Sequence, residues 1–196
     1  MIRSPLRAGI ALACALSLSA CGGGDGDIYI GGQAIGVTKP GLVLTNNGGS
    51  DLAVNQSGSF LFKDLVQTDD RYFVEVKSVP ANVEPGGCVV ANATGRAVFN
   101  VSNVLVTCTI RKWTLGGTIV GLGNRTGLVL VNGTDRIEIA PNATTFQMAP
   151  VSEESPYGVT VLPPKQGEVG PNCAVENGTG TMQAGNVANI VVRCTP

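Results

Sequence analysis

The chain is 196 residues long, carries 13 basic against 14 acidic side chains, and contains no histidine. That near-balance, with no basic patch, argues against nucleic acid as a partner; without histidine, a Ser-His-Asp or Cys-His nucleophile is excluded in its usual form. Charged residues make up only 14%, while Gly, Asn, Thr and Val dominate, which is the composition of short strands joined by tight turns.

The first 20 residues read as a targeting segment. Arg3 and Arg7 form a charged start, and the apolar or small run from Gly9 to Ala20 is shorter than the roughly 20 residues a membrane-spanning helix needs. The run ends in Leu18-Ser19-Ala20-Cys21, which resembles the lipobox of bacterial lipoproteins. The resemblance implies cleavage after residue 20 and acylation of Cys21, whose several acyl chains would anchor the protein stably in a membrane. Gly22, rather than Asp, follows the cysteine; by resemblance to Gram-negative sorting this implies the outer membrane, on either its periplasmic or its exposed face. Residues 21–27 are then the lipidated cysteine and a flexible Gly/Asp tether, where Asp25 and Asp27 read as a solvated linker rather than a calcium loop.

A first domain is expected over 28–109, with strands near 28–37, 41–46, 51–55, 59–63, 71–79, 88–92, 96–99 and 103–108. Turn signals at Asn46-Asn47-Gly48-Gly49, Ser57-Gly58 and Pro85-Gly86-Gly87 separate them, and no stretch keeps a 3.6-residue apolar period. Residues 110–113 read as a very short linker that holds the domains at a restricted angle. Trp113, the sole tryptophan, is expected to cover the domain junction, with a sugar-stacking platform as the alternative. A second domain follows over 114–196, with strands near 114–121, 127–132, 135–140, 144–149, 156–162, 172–176, 179–183 and 187–194. Val131-Asn132-Gly133-Thr134 is a direct hairpin signal there.

The two domains are copies. Gly31-Gly32 matches Gly116-Gly117, Gly36 matches Gly121, and the Gly-Leu-Val-Leu string at 41–44 returns at 127–130. Tyr72, Val74 and Val76 match Tyr157, Val159 and Val161, an alternation that puts each trio on one strand face. Cys88 and Cys108 match Cys173 and Cys194. A period near 85 residues is too long for a solenoid unit of about 20–50 and fits two whole small domains. With Cys14 in the cleaved segment and Cys21 acylated, four cysteines remain; an exported chain would oxidise them, and the repeat favours Cys88–Cys108 and Cys173–Cys194. Each bridge could join neighbouring strands or the two sheets. Each closes a loop of about 20 residues, which stabilises a domain by roughly 3 kcal/mol in the chain-entropy model.

Taken together, the glycine-turn, Gly-x-Phe-x-Phe, Tyr-x-Val-x-Val and paired-cysteine motifs resemble the repeat modules of proteobacterial surface lipoproteins and large secreted proteins. The resemblance covers nearly all of the mature chain. It implies an all-β fold of two tandem antiparallel β-sandwiches, immunoglobulin-like or prealbumin-like, with one disulfide each. It carries no catalytic residue.

The remaining chemistry is sparse. Asp64, Asp69 and Asp70 precede the Tyr72 strand much as Glu153 and Glu154 precede Tyr157; these loops read as solvated, with a weak cation site as the alternative. The Asn-x-Ser/Thr strings, among them Asn92, Asn132, Asn142 and Asn177, read as turns, and Tyr72 and Tyr157 as corner-bracing tyrosines. No catalytic, cofactor or metal residues are expected. The expected function is a non-enzymatic structural or adhesive lipoprotein of the cell envelope. Its partners would be the membrane, through Cys21, and an unidentified protein or glycan ligand. A specific binding module is the alternative, and a carboxylate-dependent hydrolase the remote one.

Overall fold

The computed structural model describes residues 27–164 and 170–195. The signal segment, Cys21 and the tether up to residue 26 therefore lie outside the described residues. The described chain is all β, with the same eight-strand plan used twice. The first copy comprises β1 (Ile30–Ile35), β2 (Leu42–Asn46), β3 (Leu52–Val54), β4 (Gly58–Leu61), β5 (Asp70–Ser78), β6 (Val83–Ala91), β7 (Thr94–Ala97) and β8 (Val101–Ile110). The second comprises β9 (Lys112–Val120), β10 (Val129–Asn132), β11 (Asp135–Glu138), β12 (Thr145–Ser152), β13 (Pro156–Val161), β14 (Cys173–Glu176), β15 (Thr179–Thr181) and β16 (Val187–Cys194).

In each copy two four-stranded sheets enclose one core. The orders are β4-β1-β8-β6 over β3-β2-β5-β7, and β12-β9-β16-β14 over β11-β10-β13-β15. Alternation along the strands builds the cores, because every second side chain points inward. Thus Val104, Val106 and Cys108 of β8 face Leu42, Leu44 and Val74 of the opposite sheet, and Ile190, Val192 and Cys194 repeat the pattern against Leu130 and Val159.

Three expectations need amendment. The sheets are not purely antiparallel, since the first and last strands of each copy run parallel, β1 beside β8 and β9 beside β16. Strands β1 and β2 lie in opposite sheets, unlike the immunoglobulin arrangement, where the first two strands are neighbours. Finally, the very short linker expected at 110–113 is shorter still: β8 runs through Ile110, β9 starts at Lys112, and only Arg111 stands between them.

The parallel pairings explain the second glycine of each Gly-Gly pair. A Cβ on Gly32 would sit 1.8 Å from the Val104 carbonyl oxygen, and one on Gly117 would sit 1.9 Å from that of Ile190. Both lie where the pairing slips register, so the backbones approach closer than any side chain allows.

The cysteines form Cys88–Cys108 and Cys173–Cys194, with Cα atoms 3.9 Å apart in each. Both bridges join directly opposed residues of neighbouring antiparallel strands within one sheet, not the two sheets. β7 does not form a hairpin with β8; it crosses to pair with β5. There the Tyr72 ring lies over Gly95, its directly opposed residue, and Tyr157 lies over Gly180 in the same way. The tyrosines thus cover a glycine gap on the neighbouring strand, with ring edge and hydroxyl lying together over the glycine.

Candidate functional site

The densest set of side-chain interactions among the described residues is at the junction of the two sandwiches. Lys39 lies in the loop after β1 and reaches into the second copy. Its Nζ donates to Glu153 Oε1 at 2.8 Å and lies 3.1 Å from Glu154 Oε1. Glu153 occupies the turn between β12 and β13 and is only 3% exposed. Its second oxygen, Oε2, accepts the Trp113 indole N–H at 3.1 Å, and its backbone N–H bonds the Arg111 carbonyl at 2.9 Å. The Arg111 guanidinium stands 5.8 Å from the centre of the Trp113 ring and donates to Glu84 Oε1 at 2.6 Å. Asn82, fully buried, accepts the Arg111 backbone N–H on its carbonyl and donates its amide to Thr38 Oγ1.

A carboxylate this buried must be matched by donors, since unpaired burial of a charge is costly. The hydrogen bonds from Lys39 and then Trp113 hold the Glu153 carboxyl below its ordinary range, outweighing the opposing effect of burial. Reciprocally, the bonds to Glu153 and Glu154 raise the Lys39 ammonium above its ordinary value. The arrangement is a charged clasp between the domains, and Trp113 forms part of its cover.

The acidic loops have separate fates. Asp69 is paired with Arg96 at 2.6 Å, while Asp64 accepts the Ser50 backbone N–H and Asp70 that of Gln67. Glu153, expected in a solvated loop, is instead buried against Lys39. Both loops are therefore supplied with a cation by the chain itself, Arg96 in one and Lys39 in the other. Among the described residues, no group of three or more His, Cys, Asp or Glu side chains is placed to hold a metal ion.

The asparagines act in turns. Asn92, Asn142 and Asn177 adopt positive φ, and the side-chain amides of Asn92 and Asn177 donate to the carbonyls of Asn103 and Asn189. Asn132 accepts the Gly158 backbone N–H, as Asn46 accepts that of Phe73.

The surface also carries hollows. One of about 480 Å³ is lined by Asn47, Arg71, Tyr72, Phe73, Thr94 and Arg96, among others. Another of similar size lies at the far end of the second copy around Arg125, which donates to the Gly121 and Thr195 carbonyls. Lys39 was not singled out from the sequence. The available signal was a basic residue at the same point of both copies, Lys39 and Arg125.

No protein-family model matches the chain, and neither does any curated protein sequence. Among solved structures, 86% of the chain aligns with the Bacillus anthracis TIE protein at 12% identity and a TM-score of 0.36. Comparable alignments are found with GBS52, the minor pilin of Streptococcus agalactiae (10% identity, TM-score 0.30, 86% of this chain), and with a variant of the shaft pilin SpaA from Lactobacillus rhamnosus GG (8%, 0.30, 87%). The chain spans 34% of the TIE protein, 97% of GBS52 and 99% of SpaA. At these TM-scores the likenesses establish no relationship.

Proposed function

We propose that the chain is a non-enzymatic lipoprotein of the bacterial cell envelope, a structural or adhesive module that carries one β-sandwich in series beyond another. The observation that carries this reading is the clasp. With only Arg111 between strands and Glu153 buried against Lys39, the two domains are held as one spacer rather than as two beads on a tether. The carboxylates also favour a structural role. Asp51, Asp69, Glu84, Glu153 and Glu176 each face a cation of the same chain, an arrangement that suits cross-linking of the fold rather than acid–base work.

Anchoring rests on the sequence from Leu18 to Cys21. Two measurements test the reading. Mass spectrometry of the N-terminal peptide should find Cys21 acylated, and protease shaving of intact cells reads which face of the envelope the domains occupy. An unmodified Cys21 in a protein recovered from the soluble fraction would overturn the anchored reading. Turnover in a broad hydrolase screen, abolished by a single carboxylate substitution, would overturn the non-enzymatic one.

The hollow beside β5 and β7 favours a second reading, a binding module. Phe73 is 43% exposed there beside Arg71, pairing an apolar ring with a cation. An acidic glycan or peptide retained by the protein and released by Arg71→Ala would support that reading, and an unchanged profile would remove it.

A further inference from the structure

The end of the first sandwich nearest the N-terminal tether is built from three segments. Ile28 pairs with Val66 through two backbone hydrogen bonds, at 2.8 and 3.0 Å. Tyr29 is bonded on both sides to the turn between β7 and β8: its N–H to Asn100 Oδ1 at 3.1 Å, and its carbonyl to the Val101 N–H at 2.8 Å. These segments present Phe99 at 81% exposure, Val98 at 52%, Tyr29 at 44% and Leu65 at 38%. Large apolar side chains at one pole of a domain, two of them aromatic, call for a partner.

The second copy shows that the fold does not require them. Its equivalent pole makes the same hydrogen bond, from the Thr114 N–H to Asn186 Oδ1 at 3.0 Å. Thr114 stands there in place of Tyr29, and Gln183-Ala184-Gly185 forms the turn in place of Val98-Phe99. That pole meets the first domain through Glu153 and Lys39 rather than facing the tether.

We propose that the pole formed by Tyr29, Leu65, Val98 and Phe99 rests in the lipid surface to which the chain is anchored. This deepens the reading of Cys21 as an acylated residue and rests on it. Reach decides the occupant. Six residues separate Cys21 from Ile28; a chain of that length spans no more than about 25 Å even at full extension. With Cys21 acylated, Ile28 would therefore lie no more than about 25 Å from the acyl chains, at a high local concentration of lipid. Aromatic and aliphatic side chains partition into the headgroup boundary. Of the charges near this end, Arg96 is paired with Asp69 and Asp70 bonds the Gln67 N–H, while Lys63 and Arg71 stand at its margin, so zwitterionic lipid and high salt are the conditions that read the apolar side chains alone. The contact is apolar, so it persists on zwitterionic lipid and in high salt.

The test uses the full lipidated protein in phosphatidylcholine vesicles, with and without brominated acyl chains. Trp113, the sole tryptophan, sits at the domain junction and gives the background signal. Phe99→Trp should add emission that is blue-shifted and quenched by brominated lipid, whereas Ala184→Trp in the second domain should add emission that is not. Mass spectrometry of the N-terminal peptide reads the anchor independently. Acylated Cys21 with an unquenched, red-shifted indole at 99 overturns the pole contact and leaves the anchor intact; protection of that indole by a soluble glycan or peptide instead would hand the pole to that ligand. A non-acylated Cys21 overturns both readings together.

Discussion

The two sandwiches share a plan yet differ in what they present outward. Counting from the cysteines, Ala91 and Thr107 of the first copy correspond to Glu176 and Arg193 of the second. On the second domain these form an exposed ion pair at 2.8 Å; on the first, the same outer face carries Leu61 and Val89, each more than half exposed, where the second has Gln147 and Ala174, while Ile35 and its counterpart Val120 are exposed in both. The tether-facing pole differs in the same sense, Phe99 against Ala184 and Gly185. What recurs is what packing demands: inward-pointing strand positions, glycines under close backbone approach, and opposed cysteines. What diverges lies on the outer faces and at the pole. A repeat therefore works as an internal control, separating residues kept for the fold from residues kept for position.

The largest effect should come from testing that the two copies obey one steric rule. Gly32→Ala drives a methyl into the Val104 carbonyl, and Gly117→Ala into that of Ile190. Each should cost its own domain about 3 kcal/mol or more, because backbone rather than a pliable side chain must move. Urea unfolding, with limited proteolysis to show which domain opens, measures it; a loss in one copy only would break the equivalence.

Next in size are the tyrosines. Tyr72 is 7% exposed, whereas Tyr157 is only half-buried. Tyr72→Ala should therefore cost about 3 kcal/mol and Tyr157→Ala about half that, by loss of buried area and uncovering of the opposed glycine. Tyr→Phe at either site should shift the urea midpoint little, since the ring supplies most of the side chain's apolar area. A large effect of removing the hydroxyl would restore the corner-bracing role.

The clasp should matter to the junction more than to either domain. The Glu153 carboxyl is held low by Lys39 and then Trp113, so its contribution is complete above the ordinary carboxyl range and is lost as pH falls through the depressed value. Lys39 is raised, so its contribution is complete at neutral pH and is lost only as pH climbs past the ordinary lysine range. The clasp should therefore stay closed from below the ordinary carboxyl range to above the lysine range. Trp113 emission reports it: acid should shift the wild-type spectrum only below the ordinary glutamate range. In Lys39→Met the transition should move to higher pH. An unchanged acid midpoint would mean the lysine does not hold the carboxylate.

Much of this was legible in the sequence, for reasons visible at particular residues. Tyr72-x-Val74-x-Val76 and Gly116-Gly117 announce strands because a two-residue period and a close approach are local or repeated demands. The repeat also favoured the two cysteine pairs. Pairing direction was less accessible: β1 and β8 stand some 70 residues apart, and nothing in either strand encodes that they run parallel. The burial of Glu153 was missed for the same reason. Its partner Lys39 is 114 residues away, and a glutamate in a turn reads as solvated until the second domain's neighbour is known. The apolar pole was hidden by composition, since Val98 and Phe99 read naturally as the end of a strand that in fact stops at Ala97.

The smallest effect tests whether the outer faces differ by role or merely by drift. Arg193 and Glu176 are each about half exposed, so water screens them and fixing two long side chains offsets much of the attraction. Replacing both with the first copy's residues, Arg193→Thr with Glu176→Ala, should change the second domain's stability by less than about 1 kcal/mol. The reciprocal pair, Thr107→Arg with Ala91→Glu, should add no more than that to the first, because the strands are in the same register from the cysteines onward. Thermal unfolding of the two swapped proteins gives both numbers. If both are near zero, stability does not explain why the ion pair is present on one face and not on the other. A loss well above 1 kcal/mol would make the ion pair a structural part of the second sandwich and remove that contrast.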